Sequence, residues 1–324
     1  PASFDWRQLN KVTPVKDQGT CSTCWVFGNI AVLESRVLLV DGSAFDFSEQ
    51  SLTVCTDPSY IYLAADRCAA GGELLMAPDT LTKKGARLEA CHPYNPATIN
   101  TDACKDTCAT VIRVTDWRLV ANSPDRIAEI KSAIYNYGPV TATYAVGSGR
   151  MHQVEGKYVY YWPNCSEPPN HLVAIVGWDD NVVHPSGGGS GAWIVKNSWG
   201  TNWANQGYFY LAYGSANLQG VGSFHGSAGY VPGGLAERLY YWDEAGLVNA
   251  VGYGSDTAWM GALFTAAESG YLTRVEFWTT SAGASYQIYV HSGNPSGPVL
   301  AQQSGTCQEM GFYSIKIDPP VALA

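Results

Sequence analysis

Positive charge is scarce in this chain. Of its 324 residues only 19 are Lys or Arg, against 28 Asp or Glu, and the formal net charge is −9. That balance excludes nucleic acid and anionic membrane as partners, since both demand a basic surface. Long apolar runs are missing as well. None reaches the ~20 residues that span a bilayer as a helix, so no membrane insertion is expected. The first residues, Pro1-Ala2-Ser3-Phe4-Asp5-Trp6, lack the charged and apolar regions of an export signal. They read as the start of a processed chain from which any signal or N-terminal propeptide has been removed.

Against these shortages stand apolar residues at 46%, enough for a real core, and a length beyond a typical single domain. The cysteine count, nine, is odd. If one is kept free, the other eight are enough for four bridges, with on the order of a hundred possible connectivities that the sequence alone leaves open. Such usage points to an oxidising compartment: extracellular or cell-surface first, lysosome-like second.

One stretch organises the rest. Gln18-Gly19-Thr20-Cys21-Ser22-Thr23-Cys24-Trp25-Val26-Phe27 is a glycine turn with two cysteines that runs into an apolar segment. Residues 25–40 have helix length and stop at Asp41-Gly42. Cys24 therefore falls at the first turn of a helix, where unpaired N–H groups favour an anion and a thiol is expected to titrate low. Three readings compete: a nucleophile, a Cys21–Cys24 redox pair, and a purely structural pair of cysteines.

A thiolate needs a base, and imidazole, with its near-neutral pKa, is suited to it. Among six histidines, His171 stands at the rim of the apolar run Leu172-Val173-Ala174-Ile175-Val176-Gly177-Trp178. A strand there would fix its backbone and shelter its ring. The base must itself be oriented, and Asn197, within Trp193-Ile194-Val195-Lys196-Asn197-Ser198-Trp199-Gly200, offers a side-chain amide.

The segment around Cys24 resembles the active-site segment of papain-like cysteine peptidases. Gln18, Gly19, Cys21, Cys24, Trp25 and Phe27 stand where that family has them, as do Asp5-Trp6-Arg7 and the residues around Pro14. Ser22-Thr23, Val26 and Gly28 depart from the usual residues, and Gly28 inside a helix is expected to cost about 0.5–1 kcal/mol against alanine. His171 lies at the family's usual distance from Cys24, and Asn170-His171 and the Asn197 segment match as well. The resemblance covers residues 1–228 and implies a cysteine endopeptidase acting on peptide or protein substrates, with no cofactor and no metal. It assigns Cys24 as nucleophile, His171 as acid and base, Asn197 as its orienter with Trp199 as cover, and Gln18 as oxyanion donor. Gly71-Gly72 would bind substrate backbone. Glu73, Leu74, Thr143 and Ser227 would line the specificity pocket, and Asn170 and Trp199 would also meet the substrate. It also implies bridges Cys21–Cys68, Cys55–Cys104 and Cys91–Cys108. The usual partner of Cys165 is absent, which by elimination leaves either a Cys165–Cys307 bridge or two free, buried thiols.

Along the chain, Ser48 caps a short second helix. Residues 73–84 are helical in pattern but broken by Pro78, and residues 85–122 are rich in loops. Ser123-Pro124 opens a helix that ends at Gly138-Pro139. Residues 140–146, 157–162, 172–178, 192–197 and 207–213 read as strands. Helices first and strands after imply an α+β, two-lobed fold, with a helical lobe and a β-barrel-like lobe. Residues 229–234 read as a linker. Residues 235–324 carry regular turn signals and read as an all-β sandwich, cut short at its end. Tyr240-Tyr241-Trp242-Asp243, Trp259-Met260-Gly261-Ala262 and Tyr286-Gln287-Ile288-Tyr289-Val290 resemble the lectin-like sandwich found after such peptidases in archaeal and bacterial surface proteins. It would bind a cell-surface glycan or protein. Two other functions fit the residues: an adhesion protein whose peptidase activity is minor, and a peptide ligase of the same fold.

Overall fold

The computed structural model describes residues 1–57, 66–69, 71–225, 238–242 and 254–323. The expected linker at 229–234 and the candidate pocket residue Ser227 lie outside them.

Helix α1 (Cys24–Val40) begins on the cysteine itself, with Thr23 as N-cap. It is buried along most of its length, as its nearly unbroken apolar sequence requires. Its Gly28 is not a weakness. A Cβ there would come within 2.2 Å of Leu172 Cδ2 and 3.4 Å of the Leu172 backbone. The missing side chain lets the helix press onto the strand that carries His171, which offsets the cost of a helical glycine.

Helix α2 (Glu49–Cys55) is capped as expected, the Ser48 hydroxyl accepting from the Ser51 amide at 2.8 Å. Two boundaries differ from the sequence expectation. Helix α3 (Met76–Lys83) contains Pro78 rather than breaking at it, because Pro78 sits in the first turn, where its missing N–H has no partner to lose. Helix α4 (Ile127–Tyr137) starts later than Ser123-Pro124, which instead form a turn closed by the Arg126 amide on the Ser123 carbonyl.

The sheet begins with β1 (Ser3–Asp5) and β2 (Asp116–Ala121), then β3 (Val140–Tyr144), β4 (Met151–Val154) and β5 (Lys157–Tyr160). It continues with β6 (His171–Val183), β7 (Ser190–Lys196), β8 (Tyr208–Ala212) and β9 (Gln219–Phe224). Strand β2 falls in the region expected to be rich in loops. It pairs with β9 on one side and, on the other, with β13 (Met310–Leu323) from the C-terminal region. The order β10-β13-β2-β9-β3-β6-β7-β8-β5-β4 thus carries one sheet through both regions, where β10 is Gly270–Thr279. Strands β11 (Ala284–His291) and β12 (Val299–Cys307) form a second, two-stranded layer. Ile288 of β11 packs over Leu272, Val275, Ile317 and Val321 of β10 and β13 to make the C-terminal core.

The junction between the regions is built. Trp278 packs against Trp117 and Phe312, with ring centroids 5.8 and 5.4 Å apart. Arg113 Nη1 bonds both carboxylate oxygens of Glu276, at 3.0 and 2.7 Å. The Arg118 guanidinium lies 3.3 Å from the centre of the Tyr313 ring.

Cys21–Cys68, Cys55–Cys104 and Cys91–Cys108 are bonded as the resemblance implied. Each stabilises by about 3–4 kcal/mol in the chain-entropy model. The Cys165–Cys307 bridge is not formed, and both thiols are free. Cys165 follows β5, near one end of the strand order, beside Tyr160. Cys307 lies next to Tyr313 and Arg118 at the β13–β2 junction, near the other end. A bridge needs Cα atoms within ~7 Å, and this topology places the two far apart.

Candidate active site

The site forms where α1 meets the first residues of β6. The loop before α1 is fixed by the Cys21–Cys68 bond and by the Ser22 amide on the Cys68 carbonyl at 2.7 Å. Thr23 makes no side-chain cap. Its hydroxyl is instead 2.8 Å from the Tyr94 hydroxyl, which donates to the Gln18 carbonyl at 2.9 Å. Since Tyr94 has one proton, Thr23 is the donor between them. The Tyr94 ring stands edge-on to Phe27 at 4.8 Å.

Gln18 is held at four points. Its amide N–H donates to the Ser198 carbonyl at 2.9 Å, and the carbonyl accepts from Tyr94. Its Oε1 accepts from the Ser198 hydroxyl at 2.6 Å, and Nε2 donates to the Cys21 carbonyl at 2.7 Å. The second Nε2–H is left for another acceptor.

On the opposite wall, His171 Nε2 and Asn197 Oδ1 are 2.8 Å apart. The same oxygen accepts from the Ser198 amide at 2.9 Å, so it can only be an acceptor toward the ring, and Nε2 carries the proton. That tautomer leaves Nδ1 with its lone pair. Trp199 stacks on the imidazole with centroids 4.7 Å apart, and Tyr144 meets it edge-on at 5.7 Å. Antiparallel pairing of β6 and β7 brings the two segments together, Ala174 lying opposite Lys196.

Electrostatics correct one expectation. The thiol does not titrate low: burial pushes Cys24 up, although the backbone N–H groups of Leu172, Trp25 and Cys24 itself pull it down. The end of a helix favours the thiolate, but desolvation outweighs it here. The Leu172 contact also shows that the sulfur faces the start of β6, beside His171. Burial likewise pushes His171 down to about 4, against the opposing Asn197 bond. Burial thus opposes charge on either group taken singly.

Beneath the pair lies a buried charge cluster between the lobes. Lys16 Nζ reaches Glu34, Asp46 and Glu49 at 2.8, 2.7 and 2.9 Å. Thr13 donates to Glu34 at 2.6 Å and receives Lys196 Nζ at 3.1 Å. Lys196 precedes Asn197, so the cluster anchors the strand end that holds the orienting amide. Burial drives Glu49 up to about 8 and Lys196 down to about 8.

The glycine segment has a reason beyond open backbone. Gly71 adopts φ +72°, and a Cβ on Gly72 would fall 2.5 Å from the Trp25 indole. Gly72 is exposed, next to the exposed Glu73. Leu74 instead turns inward, toward Gly220 and Thr143: a Cβ on Gly220 would meet Leu74 Cδ2 at 2.9 Å and Thr143 Oγ1 at 3.1 Å. Asn170 is spent on the neighbouring loop, bonding the Val146 amide at 2.7 Å and its carbonyl at 3.2 Å. Tyr94, Thr23 and Ser198 are site residues that sequence reasoning missed. Thr23, next to Cys24, and Ser198, next to Asn197, carried a local signal; Tyr94 lies far along the chain.

Comparison with known proteins bears on this geometry. Residues 1–227 match the papain family cysteine protease description, and residues 239–324 match a lectin-like domain. Cathepsin S of Bos taurus is 32% identical over 229 residues, covering 69% of this chain and 63% of cathepsin S. A cathepsin L-like proteinase of Fasciola hepatica is 31% identical over 225 residues, covering 69% of this chain and 64% of that protein. The chain thus spans a little under two thirds of the length of these relatives. Among solved structures, the clostridial cysteine protease Cwp84 after propeptide cleavage aligns with TM-score 0.80 and 28% identity, covering 99% of this chain and 81% of that one. The cysteine protease and lectin-like domains of Cwp84, a surface layer associated protein of Clostridium difficile, also align with TM-score 0.80, at 26% identity over 100% of this chain and 72% of that one. This chain belongs to the papain family of cysteine proteases, its peptidase domain followed by a lectin-like domain.

Proposed function

We propose that the protein is a cysteine endopeptidase of the cell exterior, which hydrolyses peptide bonds through Cys24 and uses its C-terminal domain as a binding module. The observation that carries the reading is Cys24 at the start of α1, packed in one cluster with Leu172, whose neighbour His171 stands 2.8 Å from Asn197.

Burial opposes charge on either group alone, so loss of the thiol proton and its gain by the imidazole go together as one transfer. Cys24 Sγ adds to the substrate carbonyl carbon while its proton passes to His171 Nδ1. The resulting imidazolium is held by Asn197 and shielded by Trp199. The oxyanion accepts from the second Nε2–H of Gln18 and from the Cys24 amide. The C–N bond then breaks, and the departing amine takes the proton from His171. Water attacks the thioester with His171 as base, the acid leaves, and the proton returns to sulfur. Gly71 and Gly72 present backbone to the peptide, and Leu74 with Thr143 forms the apolar part of the specificity pocket, with Glu73 at its rim.

Three disulfides support an oxidising location, and the likeness to a surface layer associated protein supports a place at the cell surface. Release of an N-terminal propeptide fits the likeness to Cwp84 after propeptide cleavage. The test is turnover of a fluorogenic peptide library by the wild type and by Cys24→Ala, with epoxide labelling of the thiol. Loss of both turnover and labelling in the variant is expected. Residual turnover near the wild-type rate would overturn the mechanism. Gln18→Ala is expected to lower kcat by about 10²–10³-fold.

A further inference from the structure

Between Glu276 and Glu309 the chain contains no Asp, Glu, Lys or Arg at all. This stretch holds β11 and β12, whose inner face, with Ile288, Val290 and Ala301, packs on the C-terminal core. Residues directly opposite in the pair share a face. The outer face therefore carries Gln287 opposite Ser304 and Tyr289 opposite Gln302. Gln287, Gln302 and Ser304 are exposed. An exposed strand pair is ordinarily dotted with charge, which keeps it soluble and prevents pairing with other chains. Here the outward pairs Ser285–Thr306, Gln287–Ser304 and Tyr289–Gln302 carry amides and hydroxyls, with His291 and exposed Leu300 beyond them.

Two segments singled out in the sequence meet on this face. Trp259 stacks beside Tyr289 with centroids 5.9 Å apart and planes 29° from parallel, and Trp259 is 68% exposed. The Tyr289 hydroxyl donates to Gln287 Oε1 at 3.0 Å. That bond orients the Gln287 amide and leaves its two Nε2–H donors available. The face thus combines a rigid aromatic platform with fixed donors and acceptors. They are spaced about 5 Å across the strands and about 7 Å along them.

We propose that the outer face of β11–β12, with Trp259, is a binding site for an uncharged polysaccharide. Aromatic rings offer an apolar surface to the C–H faces of sugar rings at low entropic cost, while amides and hydroxyls pair with sugar hydroxyls in either sense. An anionic glycan would find no cation on these strands to pair with, in a chain that is itself acidic. The proposal rests on the reading of the C-terminal domain as a binding module. It does not rest on the peptidase chemistry.

The full-length chain is run in native gels containing one of four soluble neutral polysaccharides, dextran, laminarin, galactomannan or xylan, or anionic polygalacturonate. Retardation by at least one neutral polymer, and none by polygalacturonate, is expected. Trp259→Ala and Tyr289→Ala should each weaken it tenfold or more, and Gln302→Ala severalfold. Trp242→Ala, at an aromatic residue outside β11–β12, should leave it unchanged. Peptide turnover by all four variants should match the wild type, which shows that they are folded and separates failure of this site from failure of the peptidase reading. No retardation by any neutral polymer overturns the proposal. So does retardation that survives Trp259→Ala, which would leave a binding module with its site elsewhere. A concentration-dependent dimer abolished by Trp259→Ala would also overturn it, and would assign the face to a second copy of the chain.

Discussion

Removing the Glu276 carboxylate tests whether the two regions are one folding unit. Glu276 sits on β10 and meets Arg113 of the peptidase region, with side chains 8% and 4% exposed. Ser314 donates to Glu276 at 2.7 Å, and Arg113 also reaches the Thr82 carbonyl at 3.2 Å. Glu276→Ala takes from the buried Arg113 guanidinium a carboxylate that it pairs with, and breaking a buried pair from one side costs up to about 3–5 kcal/mol. The Thr82 bond retains part of that, so a loss of about 3 kcal/mol is expected. For a chain of this length unfolding as a unit, this lowers Tm by about 5 °C. Glu276→Gln keeps an acceptor and should cost about 1–2 kcal/mol. Replacing both partners by apolar groups, Arg113→Met with Glu276→Leu, should recover part of the loss, because the cost lies in breaking the pair from one side only. The assay is urea unfolding followed by fluorescence and circular dichroism together. Wild type should show one coincident transition, since β13 continues the peptidase sheet, and Glu276→Ala should separate the two probes. A loss below about 1 kcal/mol, or a double variant no better than the worse single, would refute this account of the junction.

Three further outcomes are expected. Gly28→Ala should destabilise by about 1–3 kcal/mol despite its higher helix propensity, because the added methyl strikes Leu172; a more stable variant in urea would show that α1 is not seated on β6 in this way. Tyr94→Phe should lower kcat severalfold with little change in KM, while Phe27 packing and the melting temperature hold; an unchanged kcat would mean that the Tyr94–Thr23–Gln18 bridge does not position the oxyanion donor. His225, stacked on Tyr137, is pushed down to about 3 by burial, Arg118 and Arg36. Its folded pKa lies below the unfolded value near 6.5, so the stability it contributes is present above that pH. That stability is lost as pH falls toward 3, by about 2–3 kcal/mol once solvent access to the ring is allowed for. His225→Asn should flatten this acid slope in denaturation curves measured from pH 7 to 4; an unaltered slope would assign the acid lability elsewhere.

What was legible in the sequence was local or strongly periodic. The glycine turn into an apolar helix placed Cys24 at the start of α1, and Ser48 marked the cap of α2. The β-branched runs marked the strands that carry His171 and precede Asn197. Strand β2 was hidden because its six residues alternate poorly and its partners come from the far end of the chain. The entry to α4 was misplaced because Ser-Pro is as good a turn as a helix start, and the tertiary fit of Ile127 and Ile130 against the sheet decided between them.

The sequence by itself determined which groups the proposed chemistry can draw on: a thiol, an imidazole, an amide proposed to orient it and an amide proposed to receive the oxyanion. Each sits in a segment whose local pattern fixes its backbone. Tertiary structure alone decided how those groups ionise, because the burial that raises Cys24 and lowers His171 comes from packing α1 onto β6. It also decided that Gly28 is a seat for Leu172 and that Tyr94 bridges two turns of the site. Finally, it joined the C-terminal domain to the peptidase by a continued sheet and a buried ion pair, leaving Cys165 and Cys307 apart. Desolvation and long-range register depend on which surfaces meet, and no local stretch of residues carries that information.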